Sequence, residues 1–124
     1  MKSRGQKIGE RGEKVAADFL YRKGYTLLEK NYRTRTAEID IIAKEGDCIC
    51  FVEVKTRTTL KKGLPKESVH NLKQQKLISG ASFYLKEKRL NNQRVRFDVV
   101  EIFFTNGTPD KNPKITLIKN AFGT

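Results

Sequence analysis

Apolar positions near the N-terminus recur every three to four residues. Ile8, Val15, Ala16, Phe19 and Leu20 keep this spacing, so residues 5–23 are expected to form a helix with one buried stripe. Gly24 follows, a residue suited to the left-handed position after a helix end. The pattern then changes to period two. Residues 25–32, 37–44 and 48–56 read as strands, the last two rich in Ile, Val and Phe. Between those two, Glu45-Gly46-Asp47 signals a tight turn. A second helix is expected over residues 67–88, a fourth strand over 95–104 and a short fifth over 114–119. Residues 58–66 hold Gly63, Pro65 and several lysines and read as a mobile basic loop; residues 105–113 read as another loop. The order helix, three strands, helix, two strands predicts an α/β fold, a mixed sheet flanked by helices. The length of 124 residues suits one domain, residues 1–124.

Acidic residues stand inside the apolar strands. Glu38 and Asp40 alternate with Ile39 and Ile41, and Glu53 and Lys55 alternate with Val52 and Val54. Asp and Glu are disfavoured in strands, and a buried charge is costly without a partner. A two-residue turn at Gly46-Asp47 sets Glu45 opposite Cys48 and, counting back, Asp40 opposite Glu53. Opposed residues share a face, with Cβ atoms roughly 4.5–5.5 Å apart. Two carboxylates so placed repel unless a cation lies between them. Lys55 falls on the same face, two residues on. Magnesium binds such carboxylate oxygens while keeping several waters, with manganese as a substitute. At a phosphodiester it can polarise the phosphoryl oxygen and activate water, and a lysine can stabilise the developing charge. The ordinary alternative is an exposed charge network, with Lys55 on Glu53 and Glu38 on an arginine.

Other charged positions have two readings each. Glu13 borders the apolar stripe of the first helix and could reach over the sheet to a metal, or be a boundary glutamate. Lys73 interrupts the stripe of Val69, Leu77, Ala81 and Tyr84. It could reach a phosphate in the site, or snorkel. Arg96 and Asp98 share a strand face and are expected to pair with each other.

Charge widens the picture. There are 26 Lys plus Arg against 14 Asp plus Glu, a net charge of +12. A polyanionic partner follows, with nucleic acid the commonest and DNA placed ahead of RNA. Arg33, Arg35, Arg57, Lys61, Lys62, Lys66 and Lys73 are the expected contacts to its backbone. Aromatics are 9% with no Trp, so base stacking is not the evident mode. No apolar run approaches the roughly 20 residues of a membrane span, and no signal peptide is read at the N-terminus. A cytoplasmic protein without a membrane partner is expected. Cys48 and Cys50 read as small buried hydrophobes on opposite strand faces, unable to bridge. With His70 the only histidine, a zinc site lacks ligands.

Taken together, Gly12-Glu13, Gly24-Tyr25, Asn31-Tyr32-Arg33, Glu38-Ile39-Asp40, Phe51-Val52-Glu53-Val54-Lys55-Thr56-Arg57 and Arg96-Phe97-Asp98-Val99-Val100 resemble the bacterial YraN-like family of small proteins. The resemblance runs over about residues 9–100. That family is similar to the restriction-endonuclease-like superfamily with its PD-(D/E)XK core, and in outline to archaeal Holliday-junction resolvases. The resemblance implies a nuclease core in α-β-β-β-α-β order. It also implies catalytic residues Glu13, Asp40, Glu53 and Lys55, with Asp40, Glu53 and Glu13 on the metal. Ala37 stands where the family pattern has Gly, and Ile39 where the superfamily motif has Pro. The leading expectation is a magnesium-dependent endonuclease acting on DNA, with branched or recombination intermediates as substrates by resemblance. A resolvase-like mode implies a symmetric homodimer. The alternatives are a non-catalytic nucleic-acid-binding module that retains the fold, and a basic scaffold protein. A pure binder gains nothing from carboxylates aimed at phosphates.

Overall fold

The computed structural model describes residues 1–58, 71–90, 92–104 and 112–123. Helix α1 (Arg4–Arg22) starts at a capping box. Ser3 Oγ accepts the Gln6 N–H at 3.1 Å, and Gln6 Oε1 accepts the Ser3 N–H at 2.9 Å. It ends where expected. Gly24 has φ 97°, and the N–H groups of Gly24 and Tyr25 bond back to Tyr21 and Leu20. This pairing satisfies the last carbonyls and turns the chain into the sheet.

Strands β1 (Thr26–Arg33), β2 (Glu38–Glu45) and β3 (Cys48–Arg57) follow, then α2 (Asn71–Glu87), β4 (Arg94–Phe103) and β5 (Lys114–Phe122). They form one five-stranded sheet in the order β1-β2-β3-β4-β5. All neighbours are antiparallel except β3 and β4, which are parallel and joined through α2. A mixed α/β sheet flanked by two helices is therefore present. The expected start of the second helix, residues 67–70, lies outside the described residues, as do 59–66 of the basic loop and 105–111. β5 runs three residues beyond its expected end. Asp98 Oδ1 accepts the Asn120 N–H at 2.9 Å across a register shift, and Phe122 stacks on Phe97 at 5.0 Å.

The helices cover opposite faces. Ala16, Ala17 and Leu20 of α1 pack on Ile41, Ala43, Cys50, Val52 and Val100. Leu77, Ala81 and Tyr84 of α2 pack on Ile39, Ile42, Phe51, Phe97 and Val99. Cys48 and Cys50 are free and both buried in the α1-side core. This corrects the expectation of opposite faces, since residues two apart on a strand share a face. No described helix is long and apolar enough to cross a membrane.

Gly12 lets α1 approach β3 closely. A Cβ there would collide with the Thr56 hydroxyl and lie 3.0 Å from both Thr56 Cβ and Cγ2. Gly80 plays a milder part on α2, where a Cβ would lie 3.0 Å from Ala37 Cβ and 3.3 Å from Ile39 Cδ1. Overpacking costs up to about 3 kcal/mol, against a helix-propensity gain of about 1 kcal/mol for Gly→Ala. Gly12→Ala is expected to lose about 2 kcal/mol in denaturant unfolding by this balance, and Gly80→Ala clearly less. Equal midpoints for Gly12→Ala and wild type would contradict the close approach.

Candidate active site

The β2–β3 hairpin has the register that its turn dictates. Gly46 takes φ 59°, Glu45 pairs with Cys48, and the ladder continues to Ile41 opposite Val52. One step further the backbone pairing stops. Asp40 Oδ2 accepts the Val54 N–H at 2.8 Å, a side chain standing in for a backbone carbonyl. On the other edge of β2, pairing with β1 passes from Lys30–Ile41 to Tyr32–Ile39, and Asn31 between them has φ 53°. At this break strict alternation fails. Ile39 joins the α2-side core with Ile42, while Ile41 faces α1.

The break holds a concentration of charge. Glu53 is only 2% exposed, yet it carries two ammonium groups on one oxygen. Lys55 Nζ lies 3.5 Å from Glu53 Oε2, and Lys73 of α2 pairs with the same atom. Two cations offset the cost of burying that carboxylate. Among the described residues no cation pairs with Asp40 in this way. Burial, then the charge and hydrogen bond of Glu53, push its carboxyl up to about 8, against the opposing pull of the Val54 N–H. Burial lowers the Lys73 pKa, but the hydrogen bond and charge of Glu53, with Asp40, outweigh it and leave it raised.

Asp40, Glu53, Lys55 and Lys73 are thus brought together. Glu13 stands at a remove, on a cavity of about 280 Å³ shared with Lys30 and Asn31. Its carboxyl is raised by burial first, then by Glu38, with Glu10 and Glu53 adding and Lys30 opposing. Among the described residues no three Asp, Glu, His or Cys side chains form a metal-holding group. The donors that suit a small hard cation are Asp40 and Glu53, with water completing the shell, as is usual for magnesium. Burial and the charge of Glu53, which raise the Asp40 carboxyl, are the costs that such a cation would offset.

The remaining expected contacts divide. Arg33 at the end of β1 and Arg35 on the β1–β2 connection are exposed, and Arg33 pairs with Glu38 at 3.3 Å. Both pairs of the ordinary charge network are therefore formed, but Glu53 is buried within it rather than exposed. Arg57 does not sit on the surface as a phosphate contact requires. It is 7% exposed and its Nε lies 2.6 Å from Glu101 Oε2. Lys61, Lys62 and Lys66 lie outside the described residues.

Arg96 and Asp98 pair as expected, in a fork of 2.8 and 2.9 Å. Their network is larger than the sequence indicated. Arg96 also donates to Tyr25 Oη and Glu45 at 2.9 Å each, and Lys119 reaches Glu45 at 3.1 Å. Asp98 is fully buried, and the signal for it was a carboxylate inside Phe97-Asp98-Val99-Val100. Glu101, inside Val100-Glu101-Ile102, carried the same unread signal. Tyr25, Glu45 and Lys119 had no comparable mark.

Fold and site together define a small α/β protein with a helix on each face of a mixed sheet and, at a strand break, a carboxylate pair of buried Glu53 and half-buried Asp40. The chain belongs to the family described as "Uncharacterised protein family UPF0102", whose sequence model matches residues 12–102. It is 48% identical over 124 residues to a UPF0102 protein of Desulforapulum autotrophicum, covering 100% of this chain and 99% of that one. A UPF0102 protein of Clostridioides difficile is 48% identical over 114 residues, 92% of this chain and 95% of its own. One from Clostridium kluyveri is 46% identical over 122 residues, 98% of each chain.

The raised Asp40 carboxyl has a measurable sign. Its folded-state pKa exceeds the ordinary value of 3.8, so the folded state holds a proton that the unfolded state has released. Stability from this group is complete below pH 3.8 and is lost as pH rises toward about 8. Asp40→Asn keeps an oxygen for the Val54 N–H and removes the titration. In metal-free denaturant unfolding from pH 5 to pH 8, wild type should lose stability that the variant keeps. Parallel pH profiles would show that Asp40 is not strained by its neighbour.

Proposed function

We propose that this chain is a metal-dependent endonuclease acting on DNA, built on a restriction-endonuclease-like core that spans residues 1–124 as one nuclease-like domain. The observation that carries the reading is the pairing of Asp40 with buried Glu53 where the β2–β3 ladder ends, with Lys55 on the same carboxylate. Carboxylates in such a place repel nucleic acid unless a cation intervenes, while the net charge of +12 attracts it.

Asp40 and Glu53 would hold magnesium, with manganese as a substitute. When bound, the cation would offset negative charge developing on the phosphate and help to activate water. The protein side chains do the rest. Asp40 would hold the cation as its ionised carboxylate. Lys55 orients the attacking water or stabilises the charge that develops on the phosphoryl oxygens. Glu13 acts from the rim, through its charge on the pair. Arg33 and Arg35 hold the backbone near the site, and Lys61, Lys62 and Lys66 are assigned the same role on the strength of the sequence. Branched DNA as substrate and a homodimer that cuts both strands complete the proposal by resemblance.

One observation favours a second reading, a nucleic-acid-binding module without catalysis: Lys73 and Lys55 both pair with buried Glu53, and protein charges alone balance it. Cleavage and binding assays on wild type, Asp40→Asn, Glu53→Gln and Lys55→Ala at one salt concentration separate the two. The nuclease reading expects magnesium-dependent cutting by wild type and its loss in all three variants. Affinity should be kept or tightened in Asp40→Asn and Glu53→Gln, which remove negative charge, and lowered in Lys55→Ala, which removes a cation. Wild type that binds branched, duplex and single-stranded DNA but cuts none of them with magnesium or manganese gives the lead to the second reading.

A further inference from the structure

Lys73 is the one member of the charge cluster that comes from a helix rather than from the sheet. It contacts Glu53 Oε2, the same oxygen that Lys55 approaches, and Glu53 has almost no solvent to turn to. A cation shared with Asp40 would take its lone pair from this same carboxylate. Lys55 is tied to β3, two residues from Glu53. Lys73 reaches in on a long flexible stem, with its side chain 38% exposed. It also lines an open cavity of about 310 Å³ with Thr36, Ala37, Glu38, Lys76 and Leu77. So the ammonium has two places to be: inward on Glu53, or outward in a cavity beside the exposed Arg33 and Arg35.

We propose that Lys73 is a tethered competitor for the divalent cation. It occupies Glu53 until the cation binds, then moves outward and pairs with a phosphate of the nucleic acid. The inference rests on Asp40 and Glu53 being a cation site. Charge supplies the reason. A divalent ion beside two ammonium groups on one carboxylate oxygen is repelled by both, and Lys73, the more exposed of the two, has an open cavity to move into. Once outside, it adds a positive charge to the surface that a phosphodiester approaches. Metal and nucleic acid thereby favour one another's binding through a single side chain, and by linkage the coupling runs in both directions.

The test is calorimetric titration of manganese into wild type, Lys73→Gln and Lys73→Arg, each without nucleic acid and with a short duplex. Thermal melts establish that all three are folded. Loss of one hydrogen bond between charged groups changes an affinity on the order of tenfold. Lys73→Gln should therefore bind manganese about tenfold more tightly than wild type when no DNA is present. The duplex should tighten manganese binding in wild type and do so much less in Lys73→Gln. Lys73→Arg keeps the cation and should bind manganese no more tightly than wild type. If wild type binds manganese and Lys73→Gln binds it equally or more weakly, the competitor role is wrong while the cation site stands. Tighter binding by Lys73→Arg overturns the charge explanation. If no form binds manganese, the cation site itself is wrong and the inference falls with it.

Discussion

Everything at the centre of this molecule depends on two carboxylates being held together where strand pairing ends. A carboxylate near another in an apolar sheet is repelled and poorly solvated. Here Asp40 has a backbone duty that fixes it in place, because it takes the Val54 N–H that would otherwise lack a strand partner. Glu53 is fixed by Lys55 and Lys73. The surrounding packing supports this arrangement. Gly12 brings α1 down against Thr56, next to Lys55, and Gly80 seats α2 against Ala37 and Ile39, which carries Lys73 to Glu53.

A second aspartate offers an internal comparison. Asp98 also repairs a sheet irregularity, accepting the Asn120 N–H where the β4–β5 register shifts. Asn120 and Asn31 both take φ 53°, each beside one of these irregularities. The difference lies in the neighbours. Asp98 meets a forked arginine, whose charge is shared with Glu45. Asp40 meets another acid. A carboxylate fully satisfied by arginine stabilises the fold and has nothing left for a ligand. One held against Glu53 retains a cost that a cation can remove, and groups perturbed in this way concentrate at functional sites.

Much of this was legible along the chain. Period two with a Gly-first turn gave the register of β2 and β3 as far as Ile41 and Val52, and so brought Asp40 near Glu53; that the ladder stops there and Asp40 turns to the Val54 N–H was not legible. Gly24 marked the end of α1. Three further things were not legible. The end of β5 depends on Asp98 reaching Asn120 and on Phe122 stacking against Phe97, contacts between strands that no local pattern encodes. Arg57 looked like a surface cation because its partner, Glu101, is 44 residues away and pairs only in the folded sheet. The approach of Lys73 to Glu53 required α2 to cross that face of the sheet, which helical periodicity alone could not specify. The miscounted cysteines are different in kind: strand alternation already placed Cys48 and Cys50 on one face.

The central claim is that Asp40 and Glu53 jointly hold a divalent cation. Crystals soaked in manganese, with anomalous diffraction collected at the manganese edge, test it most directly. The account predicts an anomalous peak within coordination distance of both carboxylates, with Lys73 moved off Glu53. Crystals that show manganese elsewhere on the protein, or nowhere, while Lys73 stays on Glu53 would contradict it.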